Sequence, residues 1–235
     1  MICGILGTIP EREDILETVI KNIYHQVDVL YVSLNKYTSV PVFFKDYSNV
    51  IVNLNYNNDL RDCERFLFLK DIGANDFIVS FDDDIIYPKN YVKRMKSASL
   101  LHKHAAIITV LGYSYRVDRT GKISNFRKHK RPCFRFQKGC PKLIKVDFCG
   151  SGTLFFRRKL IDIDKLVFLP GNSDLMISYY CKQNKISIFS INRDMSWLVP
   201  IMGNDHTDIY TERVNDMERQ TQLINDMFFN ERDNE

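Results

Sequence analysis

The sequence predicts an α/β fold: one domain with a mostly parallel central sheet flanked by helices. Two observations predict it. Short apolar runs rich in β-branched residues alternate with longer segments of helical period through the first half of the chain, the pattern of strands joined by crossover helices. The 235 residues suffice for one sizeable core, since a single domain runs to roughly 250 residues.

Taken in order, residues 2–6 read as the first strand. Residues 11–26 carry Ile15, Leu16, Val19, Ile20, Ile23 and Tyr24 at helical spacing, and Pro10 with acids behind it suits a helix start. Residues 29–34 and 50–54 are β-branched strands. Residues 62–72 read as a helix, 77–81 as a buried strand, 88–101 as a helix opening at a proline, and 106–111 as a strand. Beyond residue 112 the pattern loosens. Residues 116–145 hold few periodic apolar positions and read as loops with short strands. Strands at 145–148 and 153–156 flank Gly150-Ser151-Gly152. A short helix at 174–182, a strand at 186–190 and an acidic helical stretch at 208–229 complete the chain. No repeat, low-complexity tract or linker divides it.

Composition narrows the class. With 45% hydrophobic and 26% charged residues, the chain is rich enough in apolar side chains to fold as a globule rather than stay disordered. Apolar runs such as 105–111 fall well short of the ~20 residues of a spanning helix. The apolar N-terminus lacks a basic leader region and reads as a strand, not a signal peptide. Six cysteines without a CxxC pair argue against a zinc site, and Cys133, Cys140 and Cys149 lie nearest to one another. These features predict free thiols and a cytoplasmic protein.

Charge is concentrated. Residues 116–145 hold eleven Lys or Arg and one acid, Asp118, so this segment is +10 and the remainder −6 within a net +4. A solvated loop accounts for such a run. Contact with an anionic membrane or a lipid-linked acceptor is the alternative with chemical content. Aromatics at Phe126, Phe134 and Phe136 admit nucleic-acid binding, but the segment's place between other site motifs argues against it.

In a parallel sheet, ligands bind beyond the carboxyl ends of the strands. Residues 7–12, 35–37 and 82–84 stand at such ends. The last of these is Asp82-Asp83-Asp84 after the apolar run 77–81. Three adjacent anions repel, and Mg²⁺ or Mn²⁺ would offset the cost with oxygen ligation. On an extended chain Asp82 and Asp84 point the same way. A solvated turn before a helix is the bland alternative.

The stretch Asp82-Asp83-Asp84-Ile85-Ile86-Tyr87-Pro88 resembles the DxD motif of glycosyltransferases with the GT-A (Rossmann-like) fold, in particular the family 2-like enzymes of cell-surface polysaccharide synthesis. Residues 59–66 resemble the upstream Asp-x-Gly-Asp-x-Gly-Lys-Phe segment, with Arg65 in place of the lysine and both glycines absent. Residues 146–153 resemble the Gly-Thr-Gly-Thr turn. Asn172-Ser173-Asp174-Leu175 resembles the late acidic motif, which in many relatives holds two adjacent acids. The likeness covers roughly residues 2–198.

That resemblance implies a metal-dependent transferase moving a sugar from a nucleotide-diphosphate donor, UDP by default, to a glycan or glycoconjugate hydroxyl. It implies inversion, with Mn²⁺ or Mg²⁺ as cofactor. It assigns Asp84 as metal ligand, Asp82 near the ribose and the metal, and Asp83 beside the donor. Asp174 is the base that takes the acceptor's proton; a first-turn helix acid is its plain alternative. Thr8, Pro10 and Arg12 lie against the nucleotide, with Arg12 a fork for phosphate or a surface partner of Glu11 or Asp14. Asn35, Asp62 and Arg65 lie near the base. His206 is a further candidate metal or phosphate ligand. Residues 1–112 form the nucleotide-sugar half, 113–207 the acceptor half, and 208–235 a helix and tail able to mediate a homodimer.

Three rival readings stand beside this one. A haloacid-dehalogenase-like phosphatase also ends an apolar strand in Asp-x-Asp, but normally in its first strand and with Thr or Val where Ile86 stands. A sugar nucleotidyltransferase needs a Gly-rich basic N-terminal loop, which residues 4–8 match poorly. An inactive nucleotide-sugar-binding module would keep the pocket alone.

Overall fold

The computed structural model describes residues 1–55, 59–128, 130–133, 139–201 and 209–230. Thirteen strands are present among them: β1 (Ile2–Thr8), β2 (Val29–Asn35), β3 (Val50–Asn55), β4 (Phe77–Phe81), β5 (Ile85–Ile86), β6 (Ile107–Thr109), β7 (Gly112–Tyr115), β8 (Lys130–Cys133), β9 (Ile144–Val146), β10 (Phe148–Cys149), β11 (Leu154–Arg157), β12 (Ile188–Ser190) and β13 (Val199–Pro200). The α-helices are α1 (Glu13–Ile23), α2 (Tyr91–Leu100), α3 (Ser173–Gln183), α4 (Ile209–Asn215) and α5 (Met217–Phe228).

Eight strands form the central sheet in the order β3-β2-β1-β4-β11-β6-β12-β9. Six run one way; β11 and β9 run against them. This is the α/β architecture the alternating pattern predicts. The sheet draws strands from both sides of residue 112. Side chains alternate between two cores, as strand geometry requires. Leu6, Val79, Phe81 and Phe155 face α1 and α2. Cys3, Ile5, Ile78 and Phe156 face α3 and the 61–70 segment.

Two expected helices differ. Residues Arg61–Lys70 form 3₁₀ turns. Cys63, Phe66 and Leu69 recur every third position and are fully buried, the spacing at which side chains of a three-residue turn eclipse. The helix expected from residue 88 begins at Tyr91. The residues before it are held by α1 and the 3₁₀ turn that follows it: Asn22 donates to Tyr87 O and accepts from its N–H at 3.0 and 2.7 Å, and Gln26 Nε2 donates to Pro88 O at 3.2 Å. The single helical stretch expected at 208–229 divides into α4 and α5 around Asp216.

A three-stranded sheet, β10-β7-β8, packs with α5 over a third core that includes Ile123, Phe126, Phe148, Leu175, Ile224 and Phe228. Part of the basic segment is thereby pinned down. Asn225 accepts from Ile123 N and donates to Ile123 O, both at 2.9 Å, and Lys130 Nζ sits 4.0 Å from the Tyr113 ring centre. Arg116, Arg119, Lys122, Arg127 and Lys128 remain exposed. The apolar face of α5 is spent inside the chain. Among the described residues no helix is long and apolar enough to cross a membrane. Cys3, Cys63, Cys140, Cys149 and Cys181 are buried free thiols; the side chain of Cys133 lies outside the described residues.

Candidate functional site

Because β1, β2 and β4 are parallel neighbours, their carboxyl ends lie along one edge of the sheet. The first delivers Thr8 and, through a 3₁₀ turn opened by Pro10, Arg12. The second delivers Asn35, and the third delivers Asp82, Asp83 and Asp84. Together with Ser151, Asp174 and the 61–65 segment they line a cleft of about 320 Å³. Of the candidate residues, Thr8, Arg12, Asn35, Asp62, Arg65, Asp82, Asp83, Asp84 and Asp174 line it. Pro10 shapes the turn beneath. His206 lies outside the described residues.

The aspartate triplet is fixed from every side. The strand ends at Phe81 and the chain turns at Asp83 and Asp84, so the alternation expected of an extended chain is broken there. Tyr87, buried, accepts from the Asp82 N–H at 2.8 Å and donates to Gly152 O at 2.7 Å. Ile201 N–H donates to Asp84 O at 2.7 Å beside the β5–β13 pair. Arg65, its side chain only 5% exposed, donates to Phe81 O at 2.6 Å and to Asp82 Oδ1 at 2.9 Å. Arg12 bridges Asp83 Oδ1 and, at 3.0 Å, Asp84 Oδ2. Asp83 is thus buried against an arginine, while Asp82 and Asp84 are 31% and 36% exposed toward the cleft. Burial and the neighbouring Asp82 push Asp84 up to about 7, against the pull of Arg12. Burial also raises Asp82 in spite of Arg65.

Gly152 admits the triplet. A Cβ built there would lie 1.8 Å from Asp82 Cγ, so the carboxylate rests on the glycine backbone. Gly152→Ala is expected to force Asp82 off Arg65, at a cost of about 1–3 kcal/mol for overpacking, read as a lowered unfolding midpoint in denaturant. A variant as stable as the wild type would show that this contact is not tight.

Asp174 stands in the first turn of α3. Its Oδ1 accepts from the Ser151 N–H at 2.8 Å, and Arg213 Nη1 lies 3.4 Å from Oδ2. Burial drives this carboxyl upward. Arg213 and the Ser151 N–H more than offset that, leaving it below the usual carboxylate range. Asp62, which its motif implies lies near the base, is engaged within the chain. Its oxygens accept from the Gly171 N–H at 2.7 Å, the Ser173 N–H at 3.0 Å and Ser173 Oγ at 2.5 Å, so it holds the loop that presents Asp174. Gly171 takes φ +77° in that loop, a conformation glycine adopts without strain. Asn35 Nδ2 donates to Arg61 O at 3.3 Å and likewise steadies the 61–65 segment.

Sequence reasoning missed the closing wall. Arg213 in α4 donates through Nε to Gly171 O at 2.8 Å and reaches Asp62 at 3.8 Å. Beside it, Arg61 and Glu212 pair through two 2.8 Å contacts.

The cleft suits a divalent cation shared with a ligand. Among the described residues no three His, Cys, Asp or Glu converge into a protein-only cage. Asp82 and Asp84 offer two carboxylates open to the cleft, and Mg²⁺-type sites are built from one or two carboxylates completed by substrate phosphates. Burial first and the neighbouring Asp82 second raise Asp84, and a cation would offset both.

No family model and no curated relative matches the chain in sequence. Solved structures do match in fold. GalNAc-T7, crystallised with UDP, GalNAc and Mn²⁺, superposes with a TM-score of 0.57 at 10% identity, over 81% of this chain and 42% of that one. Staphylococcus aureus TarS, residues 1–349 with UDP-GlcNAc, gives 0.57 at 12% identity, over 89% and 60%. The chain thus spans about half the length of these two proteins. A Methanothermobacter nucleotidyl transferase gives 0.51 at 10% identity, over 95% and 99%. The order of the sheet, the strand-end cleft and these superpositions agree that the chain has the GT-A fold.

Proposed function

We propose that the chain is a glycosyltransferase that moves a sugar from a nucleoside-diphosphate donor, a UDP-sugar, to a hydroxyl of a glycan or glycoconjugate, with inversion at the anomeric carbon. The observation that carries this reading is the meeting of Asp82, Asp84 and Asp174 with Arg12 in one cleft at the sheet's carboxyl edge. Two of the GT-A structures above hold UDP or UDP-GlcNAc.

In this reading Asp174 Oδ2 faces the acceptor and takes its proton, while the Ser151 N–H occupies the other oxygen. Arg12 flanks the leaving diphosphate with a planar donor fork. Asp62 and Asn35 keep the donor wall rigid. Mn²⁺ or Mg²⁺, held by Asp84 with Asp82 behind it, would stabilise the charge developing on the leaving phosphate as a Lewis acid. Residues 1–112 serve the donor, 113–207 the acceptor and catalysis, and the exposed cations of 116–128 a peripheral contact with an anionic membrane or lipid-linked acceptor.

Titration of UDP and GDP with and without Mn²⁺ tests this. Wild type should bind UDP only weakly without metal, and Asp84→Ala should lose at least tenfold in the metal-dependent affinity. The pH dependence has a definite sign. Asp84 keeps its proton up to about pH 7, and the metal binds its ionised form. Affinity should therefore fall below that pH, approaching about tenfold per unit. Absence of binding to any nucleoside diphosphate would refute the proposal. The nucleotidyl transferase match favours a second assay, release of pyrophosphate from UTP and a sugar 1-phosphate. Turnover there, without transfer from UDP-sugars, would replace sugar transfer with nucleotidyl transfer.

A further inference from the structure

A second groove adjoins the cleft. It encloses about 620 Å³ between the loop before α3 and the outer faces of α4 and α5, a volume in the range of small-molecule sites. Arg61, Glu212 and Arg213 line both cavities and form the wall between them. Gly171 and Asn172 line the groove, and Asp174, two residues on, lines the cleft. A ligand in the groove would reach Arg213, which lies 3.4 Å from the carboxylate proposed as the base.

The lining specifies the ligand's chemistry. Each guanidinium faces an acid: Arg61 with Glu212 at 2.8 Å, Arg213 with Asp174 at 3.4 Å and Arg219 with Asp216 at 3.9 Å. An anion would have to break these pairs, so the groove favours a neutral guest. Leu169, Pro170 and Leu223 are its apolar lining. The lining also holds groups that bind hydroxyls: Gln222 with Asp226 at 2.7 Å, and Asn172 with Gln220 at 2.9 Å. Apolar side chains together with paired amides and a carboxylate match a sugar ring, whose C–H face packs while its rim hydrogen-bonds.

We propose that this groove is the acceptor subsite and takes a neutral saccharide, whose reacting hydroxyl passes the Arg61–Glu212 pair to reach Asp174. The assignment rests on the glycosyltransferase reading. It commits further to an uncharged acceptor held by α5.

The test is saturation-transfer NMR and calorimetry with p-nitrophenyl glycosides of glucose, galactose, N-acetylglucosamine and N-acetylgalactosamine, their disaccharides, and carboxylated and sulfated counterparts. UDP and Mn²⁺ are present, and UDP affinity is read in the same samples. Gln222 is exposed and lies outside the cleft, so Gln222→Trp blocks the groove without touching the core, and Gln222→Ala removes only the amide. The expected result is a neutral glycoside that binds wild type, at least tenfold weaker in Gln222→Trp and weaker by a smaller factor in Gln222→Ala, with UDP affinity unchanged in both. Unaltered glycoside binding in Gln222→Trp would overturn the groove assignment. Binding of the anionic glycosides alone, or of none, would overturn the neutral class. Loss of UDP binding in the wild type would instead strike the glycosyltransferase reading, and the glycoside comparison would still decide what the groove holds.

Discussion

Asp174→Asn is expected to lower turnover by about 10²–10⁴-fold, the range a positioned general base contributes, and to leave UDP affinity unchanged. The substitution is nearly isosteric. An asparagine oxygen can still accept from the Ser151 N–H, which lies 2.8 Å from Asp174 Oδ1, so the α3 loop keeps its anchor. The loop also retains its hold on Asp62 through Gly171 and Ser173. What is lost is the capacity to take a proton. In the wild type that capacity is present at neutral pH, because Arg213 and the Ser151 N–H overcome burial and keep the carboxyl ionised. The measurement is kcat at saturating donor, alongside the UDP dissociation constant. Unchanged kcat would remove Asp174 from the proton transfer and leave it as a loop anchor.

The parts of the fold legible in sequence were those whose signals are local. Strands β1 to β4 are short apolar runs with segments of helical period after the first and the third, and their parallel order follows from crossover geometry. Strand β11 was not legible in the same sense. Leu154, Phe155 and Phe156 form a continuous apolar run, all fully buried, which marks a core strand but carries no direction. Its antiparallel insertion between β4 and β6 depends on where the chain leaves the sheet. That departure is set at Val110 and Leu111, whose N–H groups bind Thr153. The 61–70 segment misled because a three-residue apolar period and a helical one coincide over two turns.

The site divides along the same line. Thr8, Arg12, Asn35 and the aspartate triplet were legible because strand ends announce themselves in the chain. Arg213 and Glu212 were not. The contact of Glu212 with Arg61 spans 151 positions, and a charged pair in an acidic helix looks like any solvated surface. Asp62 lines the cleft, but its partners at residues 171–173 could not be inferred, since they belong to the loop it anchors. The sequence did contain two weaker signals. Tyr87 follows the triplet within one motif, and Gly152 closes a Gly-Ser-Gly turn; only their meeting over Asp82 shows why each is there.

Arg65→Ala is expected to destabilise the protein by about 3–5 kcal/mol, the cost of stranding one partner of a buried ion pair, and to lower the melting temperature by roughly 6–20 °C for a chain of this size. Arg65 does three things at once. It neutralises Asp82, caps Phe81 O, and through Nε holds Asp62 O at 3.0 Å. Removing it leaves Asp82 beside Asp83 and Asp84 with the nearest cation, Arg12, already engaged by those two. The deficit should depend on pH with a fixed sign. Asp82 is raised even in the wild type, and without Arg65 it rises further. Protonation in acid then removes the uncompensated charge from the folded state, so the difference between variant and wild type should shrink as pH falls. Arg65→Lys, which keeps the charge but loses the planar fork, should fall between the two. Denaturant unfolding of the three proteins across pH 5 to 8 measures this. A loss below about 1 kcal/mol, or one that does not change with pH, would mean that the Asp82 charge is stabilised by solvent in the cleft and not by Arg65.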